Sequence, residues 1–262
     1  MSYETIILQK EDGVATITLN RPDKLNSWNV ELMDEVIKVA NELNHDDTVQ
    51  AVILTGAGRA FCAGGDLSLP LFDMRGYSLE MKNFFHKVNM IPLSLRNLTK
   101  PIIAAVNGPA VGAGCSMAMV CDIIIASEAA TFGMAFVNVG YHPDAGASYL
   151  LPRLVGVNRA CELIFTGKTI DAAEAERIGL VNKVVTADAL MSAAKELARR
   201  IADGPSVAIS LAKRCIYNGL QMTLEQALES EVHAASLVLQ TEDQKEGTNA
   251  FREKRKPKYK GR

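Results

Sequence analysis

Apolar positions recur along this chain in two periods. Thr5 to Gln9 and Val14 to Leu19 are runs of β-favouring residues on either side of Glu11-Asp12-Gly13, a pattern that predicts a hairpin. After the loop NRPDKLNSWN the period lengthens. Leu32, Val36, Val39, Ala40 and Leu43 share one helical face, and Ser27 or Asn29 stands where a cap is needed. Two short apolar runs, Ala51 to Thr55 and Ile102 to Val106, read as buried strands. Each opens into a glycine-rich turn, GAGRAFCAGGDL and NGPAVGAG, and the second leads into a helix through CSMAMV. Residues 70–100 mix Met, Phe and charge and read as a loop followed by a helix. Ile123 to Ala126, Thr131 to Gly133 and Val181 to Val185 predict small strands. Helices are expected at about 158–165, 171–178 and 188–202.

Beyond Gly204-Pro205 the pattern is helical to about residue 256. Ala208, Leu211 and Cys215, then Leu224, Leu228, Val232, Ala235 and Leu239, form apolar stripes. Core packing is their simplest reading, and a subunit interface is the other. No repeat of fixed period is present. Short apolar strands alternating with helices place the chain in the α/β class, as a core over residues 1–200 and a helical region over 201–262.

Composition narrows the classes. The 262 residues are 48% hydrophobic and 22% charged with a net charge of -2, which excludes disorder and any overall attraction to nucleic acid or an anionic membrane. Five cysteines without a CxxC pair and four scattered histidines argue against a disulfide framework or a zinc site. The charged N-terminus MSYETIILQKEDG lacks the apolar stretch of a secretory signal, so a cytoplasmic location is expected. The 21 residues from Pro101 to Cys121 carry no charge, yet Pro109, Gly112 and Gly114 break them into strand, loop and helix rather than a membrane span.

Three motifs fail on inspection. Gly167-Lys168-Thr169 resembles the end of a phosphate-binding loop, but the required upstream glycine is Glu162; Thr169 or Asp171 capping a helix is the simpler reading. Gly56-Ala57-Gly58 follows a strand, but the third glycine of a dinucleotide fingerprint is Phe61. Gly114-Cys115-Ser116-Met117-Ala118 misses the last glycine of a nucleophile elbow. The two glycine-rich turns remain. Side by side, they would aim two main-chain N–H groups at one oxygen, an oxyanion hole. They are equally what two tight turns require.

The segments NRPDKLNSWN, GAGRAFCAGGDL, KPIIAAVNGPAVGAG, CDIIIASEAATFGM, GASYLLPRLVG, TGKTIDAAEAERIGLVNKVV and EGTNAFREKRKPKY, in this order, resemble the enoyl-CoA hydratase/isomerase (crotonase) superfamily over nearly the whole chain. The resemblance implies a spiral of ββα units followed by C-terminal helices that build trimers, often paired into hexamers. It implies acyl-CoA thioester substrates and no metal or redox cofactor, coenzyme A being part of the substrate. By family position the oxyanion donors are the amides of Gly65 and Ala113. Lys24, Leu25, Ala63, Asp66 and Leu67 match positions lining the coenzyme A site, and Phe251 and Lys254 match residues that reach it from a neighbouring subunit.

One departure stands out. The two glutamates with which hydratases hold water fall on Ser116 and Phe136. A carboxylate stands instead at Asp144, the position of an Asp in several isomerases of the superfamily, ring-1,2-epoxyphenylacetyl-CoA isomerase among them. The expectation is an enoyl-CoA isomerase in which Asp144 shuttles a proton beside an enolate held by Gly65 and Ala113. Phe136 is expected to exclude water and raise the Asp144 pKa, and residues 70–95 to line the acyl pocket. A helix cap or turn is the bland reading of Asp144. Other readings stay open: a hydratase with atypical residues, an aryl-CoA dehalogenase or thioesterase, a non-catalytic subunit, or an RNA binder. The last rests on the tail Arg252 to Arg262, with seven basic residues and one acid, whose plain reading is a solvated tail.

Overall fold

The structure is a computed structural model, and it describes residues 3–69 and 78–262. The hairpin forms β1 (Ile6–Glu11) and β2 (Val14–Leu19), joined by a two-residue turn in which Asp12 and Gly13 both take positive φ, 50° and 79°. The other strands of the main sheet are β3 (Ala51–Gly56), β4 (Ile102–Val106), β6 (Ile123–Ser127) and β9 (Lys183–Val185). The order is β1-β2-β3-β4-β6-β9, parallel from β2 onward. Short strands β5 (Ala110–Val111), β7 (Thr131–Gly133) and β8 (Thr169–Asp171) make a second, three-stranded sheet.

Strands β3 and β4 are apolar at nearly every position because both faces are covered. Val52, Leu54, Ile102 and Ala104 face a large core with Leu32, Met33, Val36, Val39 and Leu43 of α1 (Val30–Asn44). Ile53, Ile103 and Ala105 face the other way, onto Leu190, Ala194 and Ala198 of the later helix α7 (Leu190–Ala202). Asn29, rather than Ser27, caps α1 by accepting from the Leu32 amide. Helix α2 (Leu79–Arg96) and the buried α3 (Ala113–Val120) lie against the same core as α1. The resulting architecture is an α/β spiral of strand, short strand and helix, seen most plainly in β4-β5-α3.

Then come α4 (Ala147–Val155), α5 (Val157–Thr166), α6 (Ala172–Arg177), α7 (Leu190–Ala202), α8 (Ser206–Gly219), α9 (Leu224–Val238) and α10 (Glu242–Arg252). Helix α4 is not expected from sequence: it is short, lies between two glycines, and contains Pro152. Asp171 caps α6, while Thr169 opens β8. The small strand expected from Val181 begins only at Lys183.

Two expectations change. The α9 stripe is not core: Leu224 is 70% exposed and Leu228 51%, and α9 has no buried residue. The basic tail is not simply solvated. It folds back on α10, where the buried Asp243 carboxylate accepts from the Lys260 and Gly261 amides at 2.6 and 2.8 Å. Arg255 pairs with Glu246 and Glu253, and Lys260 and Arg262 with Glu242. No helix among the described residues is long and apolar enough to cross a membrane.

Candidate active site

The two glycine-rich turns meet, main chain against main chain. The Phe61 and Cys62 amides both donate to the Pro109 carbonyl at 3.1 Å, and the Val111 amide donates to Cys62 O at 2.9 Å. Glycine is required where they touch. A Cβ on Gly114 would lie 2.1 Å from Cys62 O, and one on Gly64 2.8 Å from Val111 O and 3.5 Å from the Ala113 nitrogen. Gly64 and Ala113 are therefore neighbours, and Gly65 is the next residue along the first turn.

Both amides are free. Ala113 opens α3, so its N–H has no acceptor within the helix, and no side chain caps that end. The Gly64 carbonyl accepts from the Trp28 amide, and the Asp66 amide donates to Trp28 O. Main-chain groups alternate along an extended segment, so the Gly65 N–H between them faces away from Trp28. Among the described residues neither the Gly65 nor the Ala113 N–H has an acceptor on the protein.

Asp144 stands beyond α3, in the loop leading to α4. It is not a helix cap, since α4 is capped by Gly146 with no side-chain bond. Its Oδ1 is buried with no hydrogen-bond partner, an unfavourable state that a native structure keeps for a reason. Burial pushes the carboxyl up from 3.8 to about 6, and His142 offsets this only in part. The Ser116 hydroxyl ties this loop to α3, donating at 3.4 Å to Asp144 O and to Gly112 O. The Phe136 ring covers Gly112, 3.6 Å from where a Cβ would be. Tyr141 continues this wall, 6.5 Å from Phe136 and 6.2 Å from Phe85 between ring centroids. Burial and the Asp144 charge push the Tyr141 phenol up to about 12, so it stays protonated at neutral pH.

The other predicted residues separate into two groups. Lys24, Leu25, Ala63, Asp66 and Leu67 lie on one rim, where the Ala63 amide donates to Leu25 O at 2.9 Å. Lys24 and Leu67 are exposed, whereas the Asp66 carboxylate is committed to Arg21 and Ser68 and held below its usual range, chiefly by the Ser68 hydroxyl. Phe251 is 84% exposed at the end of α10, and Lys254 follows it. No hydrogen bond or ion pair among the described residues ties either to that rim. Of the acyl pocket expected over 70–95, residues 70–77 lie outside the described residues, while Phe84 and Phe85 join the aromatic wall. Asn26 was missed: buried, at positive φ, it donates to the Ala57 and Ala60 carbonyls and fixes the first turn. Among the described residues no three His, Cys, Asp or Glu side chains are grouped to hold a metal.

The α/β core, its two apposed glycine turns and the C-terminal helices place the chain in one enzyme family, which comparison with known proteins shows. The chain belongs to the enoyl-CoA hydratase/isomerase family, whose model matches residues 9–262. It is 46% identical to a short-chain-enoyl-CoA hydratase of Clostridium acetobutylicum, covering 98% of this chain and 97% of that one. It is 38% identical to 1,2-epoxyphenylacetyl-CoA isomerase of Escherichia coli K12, with 99% of each covered. The crystal structure of an enoyl-CoA hydratase from Bacillus anthracis superposes with a TM-score of 0.91 at 40% identity, over 99% of this chain and 100% of that one.

Proposed function

We propose that this enzyme is an enoyl-CoA isomerase that moves a proton within an acyl-CoA thioester through Asp144. The carrying observation is the Asp144 carboxyl, whose Oδ1 is buried without a hydrogen-bond partner, in a chain that also leaves the Gly65 and Ala113 amides free. With a 3-enoyl-CoA the thioester oxygen accepts from the Gly65 and Ala113 N–H groups. Asp144 takes a proton from the α-carbon, the electron pair moves into the thioester to give a dienolate, and the same carboxyl returns the proton to the γ-carbon. Each amide stabilises the enolate by about 3–4 kcal/mol, the magnitude found for oxyanion-hole donors. A carboxyl at about 6 is ionised at neutral pH yet basic enough to accept the proton.

The names of most similar proteins favour a second reading, an enoyl-CoA hydratase. Water addition needs polar groups to hold the water. The Ser116 hydroxyl is engaged with two carbonyls, and Phe136 is apolar. Turnover of 3-hexenoyl-CoA and of crotonyl-CoA, followed by ultraviolet absorbance, separates the readings. Asp144→Asn is expected to abolish the first while coenzyme A binding persists. Full activity in that variant, or crotonyl-CoA as the sole substrate, refutes the isomerase reading.

We also propose a trimer, singly or paired. The exposed apolar residues Ile216, Leu220, Leu224, Leu228 and Val232 on α8, α9 and the turn between them exceed what a monomer normally leaves to water. Assembly would bring a neighbour's Phe251 and Lys254 to the Lys24–Leu67 rim. An RNA-binding role is not adopted: Arg255, Lys260 and Arg262, three of the tail's seven basic residues, are paired with carboxylates of α10 and with Glu253, and no RNA-binding module is visible in the sequence.

A further inference from the structure

We propose that Arg96, Asp122, Lys213 and Tyr217 form a positioning cluster that holds the far end of α3 and so fixes the Ala113 amide at its near end. The inference rests on the reading of Ala113 as a donor to the thioester oxygen.

Helix α3 has eight residues, all buried, and spans about 12 Å at the usual rise. Its N-terminal amide faces the site. Its C-terminal end has no basic residue of its own. Asp122 follows directly after the helix cap and is gripped from three sides. Its amide donates to Ile102 O at 2.9 Å, and its Oδ2 accepts from the Ile102 amide at 2.7 Å. Lys213 Nζ stands 2.8 Å from the same Oδ2, and the Tyr217 hydroxyl donates to Oδ1 at 2.7 Å. Lys213 also donates to the Lys100 carbonyl at 3.1 Å and is only 8% exposed.

Arg96, the last residue of α2, stacks over the Tyr217 ring at 3.8 Å and makes a long contact of 3.5 Å with Met119 O. The cluster thus holds two cations and one anion. The Cys121 thiol adds no charge, because burial and Asp122 keep it protonated. The surplus positive charge faces the carbonyl end of α3, where the helix dipole is negative.

The cluster joins parts that the chemistry needs in register. Arg96 belongs to the helix that carries Phe84 and Phe85. Lys213 and Tyr217 lie one turn apart on α8, where Ile216 and, just past its end, Leu220 are exposed and apolar. Packing of subunits on α8 would therefore bear on the oxyanion helix through these four side chains.

The test uses the full-length protein and the variants Lys213→Met, Lys213→Arg, Arg96→Met, Arg96→Lys and Tyr217→Phe. Circular dichroism and thermal melting report folding. Turnover of 3-hexenoyl-CoA gives kcat and KM, and the infrared carbonyl band of bound carbon-13-labelled butanoyl-CoA reports polarisation by the amides. Lys213→Met and Arg96→Met are expected to lower kcat about tenfold while KM stays within about twofold. The carbonyl band should return toward its free value, with partial rescue in the Arg and Lys replacements. If Lys213→Met does not fold, Tyr217→Phe, which removes one hydroxyl, decides the matter by the same readouts. Folded variants with wild-type kcat and an unchanged band overturn the positioning role alone. A wild-type enzyme that leaves the band unshifted overturns the donor reading, and this proposal with it.

Discussion

Replacing Asp144 with Asn is expected to produce a dead enzyme that is more stable than the wild type at pH 8. The carboxyl has a pKa of about 6 in the folded chain against 3.8 ordinarily. Because the folded value is the higher one, the folded state holds its proton more tightly than the unfolded state does. The stability contributed by this group is complete below pH 3.8 and is lost as pH rises to about 6. Two pKa units correspond to about 3 kcal/mol. Solvent reaches part of the carboxyl, and an Asn amide in its place also lacks a partner, so the expected gain is about 1–3 kcal/mol at pH 8. Roughly half of it should be seen at pH 5. Urea unfolding of both proteins measures the gap, at equal concentration because the proposed trimer would make stability concentration-dependent. The acid limb of kcat/KM in the wild type should fall near pH 6, with activity lost below it as the base protonates. An Asn variant less stable than the wild type at pH 8, or an acid limb near pH 4, refutes the reasoning that burial has made this carboxylate a base.

The same site and surfaces give further expectations. Phe136→Ala admits water to Asp144, so the acid limb should slide from about 6 toward 3.8 in a pH–rate profile. Gly114→Ala places a Cβ 2.1 Å from Cys62 O and must part the two turns; calorimetry should show a loss of about 1–3 kcal/mol, and kcat should fall with it. Gly219→Ala, whose Cβ would lie 4.0 Å from its nearest neighbour, should be silent in both assays. Leu228→Glu puts a charge on the exposed α9 stripe, and light scattering should show the mass of a monomer where the wild type, if the proposed trimer holds, shows three chains. Phe251→Ala should raise KM for acyl-CoA about threefold or more with kcat unchanged, through lost contact with a neighbour's substrate.

Most of the scaffold was legible because its signals are local. The hairpin turn, the two-sided apolar strands and the α1 face follow from period and punctuation, and the structure places each within two residues. What could not be read locally depends on partners far away in the chain. Strands β5 and β8 have two and three residues, too few for any period, and exist only because β7 pairs with both. The α9 stripe had the periodicity of a core helix, but periodicity says only that a face will be covered, not by which molecule. Asn26 shows the same limit within the site: nothing marks one asparagine among three in NRPDKLNSWN as the one that pins the first turn. The glycines were legible as flexible positions. That Gly64 and Gly114 serve close approach of one turn to the other is a fact of the tertiary fold.

Asp144 gains its meaning from what surrounds it rather than from its identity. Ser116 shares its one hydroxyl proton between the carbonyls of Gly112 and Asp144, each at 3.4 Å, and neither it nor Phe136 supplies a carboxylate to activate a water molecule. Phe136 sits against Gly112, beside the first amide of α3, and Tyr141 extends the apolar wall toward Phe85. Burial raises the pKa of this carboxyl, and His142 and its own main-chain amide offset that only in part; in the proposed reaction the proton it takes from one substrate carbon is the proton it returns to another. Restoring acids at 116 and 136 would reverse both conditions at once: the tether to Asp144 would be lost, and a like charge would raise its pKa further. The double variant Ser116→Glu with Phe136→Glu is therefore expected to gain crotonyl-CoA hydration only as 3-enoyl-CoA isomerisation falls. A variant that hydrates and still isomerises at the wild-type rate would show that the dry wall around Asp144 has no part in the chemistry.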